Sequence, residues 1–122
     1  MYDKLLIREI LERIAESLRE VVVWTESVRF ADDFASNSGG MILLNAVCMK
    51  LIAIGEEVKS LDRKTQGELL PKYGEIEWRE VMGLRDIIAH HYFDIDAGEI
   101  FSVLSVDIPP LVATIERMTK EL

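Results

Sequence analysis

From Leu6 to Val28 the apolar side chains fall at Leu6, Ile7, Ile10, Leu11, Ile14, Leu18, Val21, Val22 and Val28, mostly three or four residues apart. Glu and Arg fill the gaps between them. That spacing matches the 3.6-residue period of an α-helix and not the two-residue period of a strand. It predicts a long amphipathic helix from Asp3 to about Val28. The β-branched run Val21-Val22-Val23 loses rotamer freedom in a helix, so a bend or an end is expected nearby. A second helix, about Gly40 to Leu61, is apolar on nearly every side: Ile42, Leu43, Leu44, Ala46, Val47, Cys48, Met49, Leu51, Ile52 and Ile54. A helix apolar all round is buried on more than one side. In a chain of 122 residues this points to a central helix that also faces another subunit.

The breaks between helices carry their own signals. Asp32, Asp33, Ser36, Asn37, Ser38, Gly39 and Gly40 form a turn cluster, with Ser38 or a neighbour placed to cap the second helix. Thr65-Gln66-Gly67-Glu68 reads as a capping box that opens a short helix ending near Pro71 to Gly74. A further helix is expected over roughly Glu77 to Tyr92. Asp96-Ala97-Gly98-Glu99 reads as another capping box, opening a short helix to about Ser105. Asp107 is expected to cap a last helix, with Pro109 and Pro110 tolerated in its first turn. No segment alternates as a strand would. The expected architecture is one all-α domain over residues 1–122, an up-and-down helical bundle of about five to six helices.

Charge and cysteine usage narrow the function classes. The chain has 14 Lys+Arg against 22 Asp+Glu, a net charge of -8. That argues against a protein that coats nucleic acid non-specifically, because such binding needs many cations at phosphates. It leaves room for a narrow local site: residues 61–92 carry 5 basic and 6 acidic groups, the least acidic part of the chain. The lone Cys48 cannot form an intrachain disulfide, which fits a reducing, cytoplasmic setting. No Cys/His array for a metal is present, and no cofactor motif. Contiguous apolar runs such as Val21 to Trp24 fall far short of the ~20 residues that span a bilayer, so no membrane partner is expected.

The two histidines of the chain are adjacent, in Arg85-Asp86-Ile87-Ile88-Ala89-His90-His91-Tyr92. On a helical wheel Val81, Leu84, Ile87, Ile88 and His91 share the core sector, while Arg85, Asp86, Ala89 and His90 lie outside it. Asp86 and His90 are four apart, so the carboxylate can orient the imidazole. Arg85 and His90 are about 140° apart around one straight helix. They converge on one atom only if the helix end unwinds or two copies face each other. On spacing alone, an Arg and a His on one helix are more often a solvated pair than a site. Likewise Trp78 and Met82 read first as packing residues and Cys48 as a small core hydrophobe.

The stretch Arg85, four residues, His90, one residue, Tyr92 resembles the Arg-x4-His-x-Tyr signature of HepT-like proteins of the HEPN superfamily. Ile54-Gly55-Glu56-Glu57 late in the second helix also looks like that family. So does Ile76-Glu77-Trp78-Arg79 followed by Met82-Gly83-Leu84. Glu77 stands where the family often has proline, and the His90-His91 doublet adds a second imidazole, so the family role falls on His90 by position. The resemblance implies a HEPN-type bundle that dimerises through the signature helix and its neighbours. It also implies the toxin of a toxin–antitoxin pair, a metal-independent endoribonuclease acting on RNA. Its partner would be a nucleotidyltransferase antitoxin that adds AMP to Tyr92.

On that reading His90 is the general base and acid, Arg85 stabilises charge on the phosphorane, Asp86 orients His90, and Tyr92 contacts phosphate or base. The alternative is a non-catalytic helical module that partners a nucleotidyltransferase or binds a nucleotide. The acidic balance mildly favours the module; the intact signature favours the nuclease.

Overall fold

Asp3 opens the first helix: its carboxylate accepts from the backbone N–H of Leu5 and Leu6. Helix α1, Lys4–Trp24, buries Ile7, Ile10, Leu11, Ile14, Leu18 and Val21 along one stripe. It stops directly after the valine run, short of Val28. There the Thr25 hydroxyl donates to the Val21 carbonyl (2.8 Å). The structure is a computed structural model and describes residues 2–90 and 94–122, with the His90 side chain outside that description.

The turn cluster contains a single helical turn, α2, Asp32–Ala35, whose Phe34 is fully buried. Asn37, the neighbour of Ser38, then caps helix α3, Ser38–Lys64, by accepting from Gly40 N–H (2.8 Å). Helix α3 is the axis of the bundle and packs against α1, α2 and the two helices that carry the signature. Ion pairs Lys50–Glu20 (2.9 Å) and Arg13–Glu57 (3.5 Å) show that α1 and α3 run antiparallel. The ammonium of Lys50 also sits 5.5 Å from the centroid of the Trp24 ring.

Thr65 does not open a helix; it closes α3. Its hydroxyl donates back to the Leu61 carbonyl (2.8 Å) and is fully buried. Gln66 and Gly67 then adopt positive φ, 56° and 72°, which turns the chain away. The tertiary burial of Thr65 against α3 overrides the local capping-box pattern. In place of the expected short helix the chain makes a single 3-10 turn, Leu70–Tyr73.

The signature segment is two helices, α4 (Trp78–Met82) and α5 (Leu84–His90), and not one. Gly83, a poor helix interior residue, caps α4, and its carbonyl then accepts from Asp86 and Ile87 to start α5. The expected end at Tyr92 lies outside the described residues.

Asp96 caps α6 (Ala97–Ser102), accepting from Glu99 N–H as its capping box predicts. Asp107, however, makes no capping bond, and no break precedes the last helix. A π-helical turn, Val103–Asp107, joins α6 to α7 (Ile108–Glu121) as one rod. Pro109 and Pro110 donate no N–H to the carbonyls one turn back, and the backbone widens there and continues. Helix α7 packs on the side of α1 through Ile108, Leu111, Ile115 and Met118.

The chain is therefore an all-α bundle with no strand among the described residues, built on three long helices. By length and composition alone α3 and the α6–α7 rod also suffice to cross a membrane. The contiguous-run argument missed this because polar residues interrupt each helix. In the bundle both rods bury an apolar stripe against neighbouring helices.

Candidate active site

Two contacts set where α4 and α5 lie. The Trp78 indole N–H donates to the Tyr73 carbonyl (2.9 Å) with the ring buried, which anchors the start of α4. Gly55 then lets α3 approach so closely that a Cβ there would sit 2.8 Å from the Val81 carbonyl oxygen. Below α5, Leu84 and Ile88 enter the core. Val81 is half-buried, but Ile87, expected in the core sector, is 38% exposed. It lies at the edge of the stripe and lines a cavity between these helices and the α6–α7 rod.

Arg85, Asp86 and Ala89 are exposed on the outer face, as the wheel predicts for Arg85, Asp86 and Ala89. The Arg85 guanidinium pairs with Glu56 of α3, Nη1 to Oε1, at 3.9 Å. The other carboxylate oxygen of Glu56 meets Lys59 Nζ at 3.2 Å. Both partners of the Arg85–Glu56 pair are about half exposed, so it is worth at most ~1 kcal/mol. A phosphate dianion or diester can displace it, because the guanidinium fork matches phosphate oxygens in two parallel bonds.

Asp86 makes no ion pair among the described residues. Its expected bond to His90 involves a side chain outside that description. So does every contact expected of His91 and Tyr92. The structure thus places Arg85 and Asp86 together on the exposed face of α5, which is described as far as the His90 backbone. Residue spacing missed the role of Glu56 and Lys59. Glu56 stood in the Gly55-Glu56 motif, and its link to Arg85 exists only because α5 crosses α3 there.

A cavity of about 440 Å³ lies on the opposite side of α4 and α5, floored by Ile76, Leu84, Ile108 and Leu111. Glu75, Glu77, Glu80, Glu99 and Asp107 ring it. Glu75 is paired with Arg117, and the remaining carboxylates give this side of α4 and α5 an acidic rim.

A family model, ribonuclease HepT-like, matches residues 7–118. The chain belongs to the HepT-like ribonuclease family. A protein of Methanocaldococcus jannaschii named as a gamma-glutamylcyclotransferase and, provisionally, an RNase is 33% identical over 92% of this chain. This chain spans 47% of that relative's length. A second provisionally named RNase of the same organism is 28% identical over 95% of this chain and 89% of its own length. A Thermococcus cleftensis protein named provisionally as ribonuclease HepT is 27% identical over 93% of this chain and 96% of its own. No solved structure matches the chain.

Proposed function

We propose that the protein is a metal-independent endoribonuclease that cleaves RNA at a site assembled from two copies of the signature helix. The carrying observation is Arg85: it is exposed, held only by a weak pair, and lies on the outer face of the helix that also carries His90. The RNA 2′-hydroxyl attacks the adjacent phosphorus. His90 takes that proton as base, and an imidazolium, its own or the second copy's, returns one to the departing 5′-oxygen. Arg85 offsets the charge that builds on the phosphorane. Asp86, four residues before His90, orients its imidazole.

The second copy is supported by the outer face of α3. Ile42 and Met49 there are 71% and 67% exposed, on the same helix as the carboxylate that meets Arg85. Apolar surface of that kind, continuous with a site, is the usual mark of an interface. Family membership supports the rest of the reading: a toxin whose nucleotidyltransferase antitoxin adds AMP to Tyr92. The added phosphate places negative charge near Arg85 and blocks RNA by occupancy and repulsion.

The test is cleavage of RNA by purified protein in EDTA. Wild type leaves a cyclic phosphate, and Arg85→Ala and His90→Ala each lose about a hundredfold or more in rate while remaining helical. Unchanged cleavage by both variants overturns the assignment. The net charge of -8 favours one alternative, a non-catalytic module that binds a nucleotidyltransferase or a nucleotide. Intact RNA from the wild-type protein in the same assay selects it.

A further inference from the structure

Glu56 binds two cations at once: Arg85 at 3.9 Å through one carboxylate oxygen and Lys59 at 3.2 Å through the other. Lys59 is therefore tied to Arg85 through one shared carboxylate, although the two cations are far apart in the chain. Arg63 stands one turn further along α3, exposed and without an ion pair among the described residues. On the α3 wheel Glu56, Lys59 and Arg63 fall within a sector of about 60°. The exposed face of α3 thus changes character along its length. It is apolar at Ile42 and Met49, and beyond Glu56 it presents cations that lead away from Arg85.

We propose that Lys59 and Arg63 form a phosphate track for single-stranded RNA, holding the backbone next to the phosphate that Arg85 engages. Glu56 is the group that RNA displaces: it keeps the two cations close in the free protein and opposes the polyanion until phosphates replace it. The inference rests on the ribonuclease reading and adds to it the path of the strand. A row of cations along a groove is the general means of following a nucleic-acid backbone without reading sequence. The acidic ring on the far side of α5 leaves the α3 side as the open path.

The test uses the His90→Ala protein, which binds without cutting, and a fluorescent single-stranded RNA of mixed sequence titrated between about 50 and 200 mM salt, the range over which phosphate contacts show their salt dependence. Adding Lys59→Ala or Arg63→Ala weakens binding several-fold and reduces the slope of log affinity against log salt by about 0.7–1 each. Adding Glu56→Gln tightens binding. Lys64→Ala removes a charge from the same last turn as Arg63 but off the line, and moves neither quantity by as much. In the cleaving protein, Lys59→Ala raises KM with a far smaller effect on kcat than Arg85→Ala. Equal affinity and slope for Lys59→Ala, Arg63→Ala and the parent overturn the track while leaving the nuclease standing. Absence of RNA binding and cleavage by the wild type overturns both.

Discussion

Tyr73 shows how one side chain couples distant parts of the chain. Its hydroxyl donates to Glu121 at 2.7 Å, while Arg117 lies 5.0 Å from its ring centroid and pairs with Glu75 and Glu121. The hydrogen bond to the Glu121 carboxylate, then burial, pushes the Tyr73 phenol up to about 12 from its usual 10. The protonated phenol is therefore the form the fold favours. Its contribution is complete below about pH 10 and is lost as pH rises toward about 12. Tyr73→Phe should lower stability at about pH 8 by about 1.5–3 kcal/mol, the worth of a hydrogen bond to a charged group. It should also flatten the fall in melting temperature above about pH 10, and thermal melts across that range check both. Cys48 gives a parallel expectation. Burial alone raises its thiol to about 11, so at about pH 8 a disulfide reagent should modify the unfolded chain quickly and the native protein slowly. The burial of Cys48 was legible in its apolar run, but the Tyr73 shift was not, because Glu121 and Arg117 lie far away in the chain.

Helix α5 is positioned by α3 rather than by its own sequence. The described part of α5, Leu84–His90, packs on α3, and its place depends on the close crossing at Gly55. Gly55→Ala sets a methyl 2.8 Å from the Val81 carbonyl oxygen, a contact that only a movement of backbone relieves. The expected cost is about 1–3 kcal/mol, as for overpacking a well-filled core. Because α4 and α5 must shift to relieve it, RNA cleavage should fall by more than the loss of folded protein explains. Activity corrected for the folded fraction from chemical denaturation separates the two. The Gly55-Glu56 motif was visible in the sequence. That its glycine makes room for the site and its glutamate meets Arg85 was not, since both depend on the angle at which two helices cross. The misread elements have a similar origin. Thr65 carries a good capping pattern but is consumed by burial at the end of α3, and Asp107 is bypassed because the prolines widen the helix instead of ending it.

The bundle leaves one face of its central helix uncovered. The second helix looked too apolar for a small domain, and Ile42 and Met49 are indeed exposed on it. If that face binds a second copy, Ile42→Asp with Met49→Asp should yield a monomer by sedimentation velocity with its helical content retained. Cleavage should fall with dimerisation, because the Arg85 of one chain and the His90 of the other no longer meet. A double variant that stays dimeric or stays fully active removes this face from the site. The acidic character of the whole chain fits the same arrangement. Five of its carboxylates ring the far cavity, while Arg85 lies on the other side of α5 and is linked to Lys59 through Glu56.

Residue order was enough to establish helices, their approximate spans, the buried stripes of α1 and α7, and the outward placement of Arg85. All of these come from the period of the apolar residues, which is a property of neighbours in the chain. It was also enough to point to the family, through the Arg85 to Tyr92 signature together with two upstream stretches, Ile54 to Glu57 and Ile76 to Leu84. Only the folded arrangement decided that Glu56 and Lys59 join Arg85, that Gly55 makes room for α4, and that the acidic residues surround the opposite side. Those relations are set by how helices cross and which side chains the crossing brings within a few ångströms. Packing across the whole core determines that geometry, and no local stretch of sequence contains it.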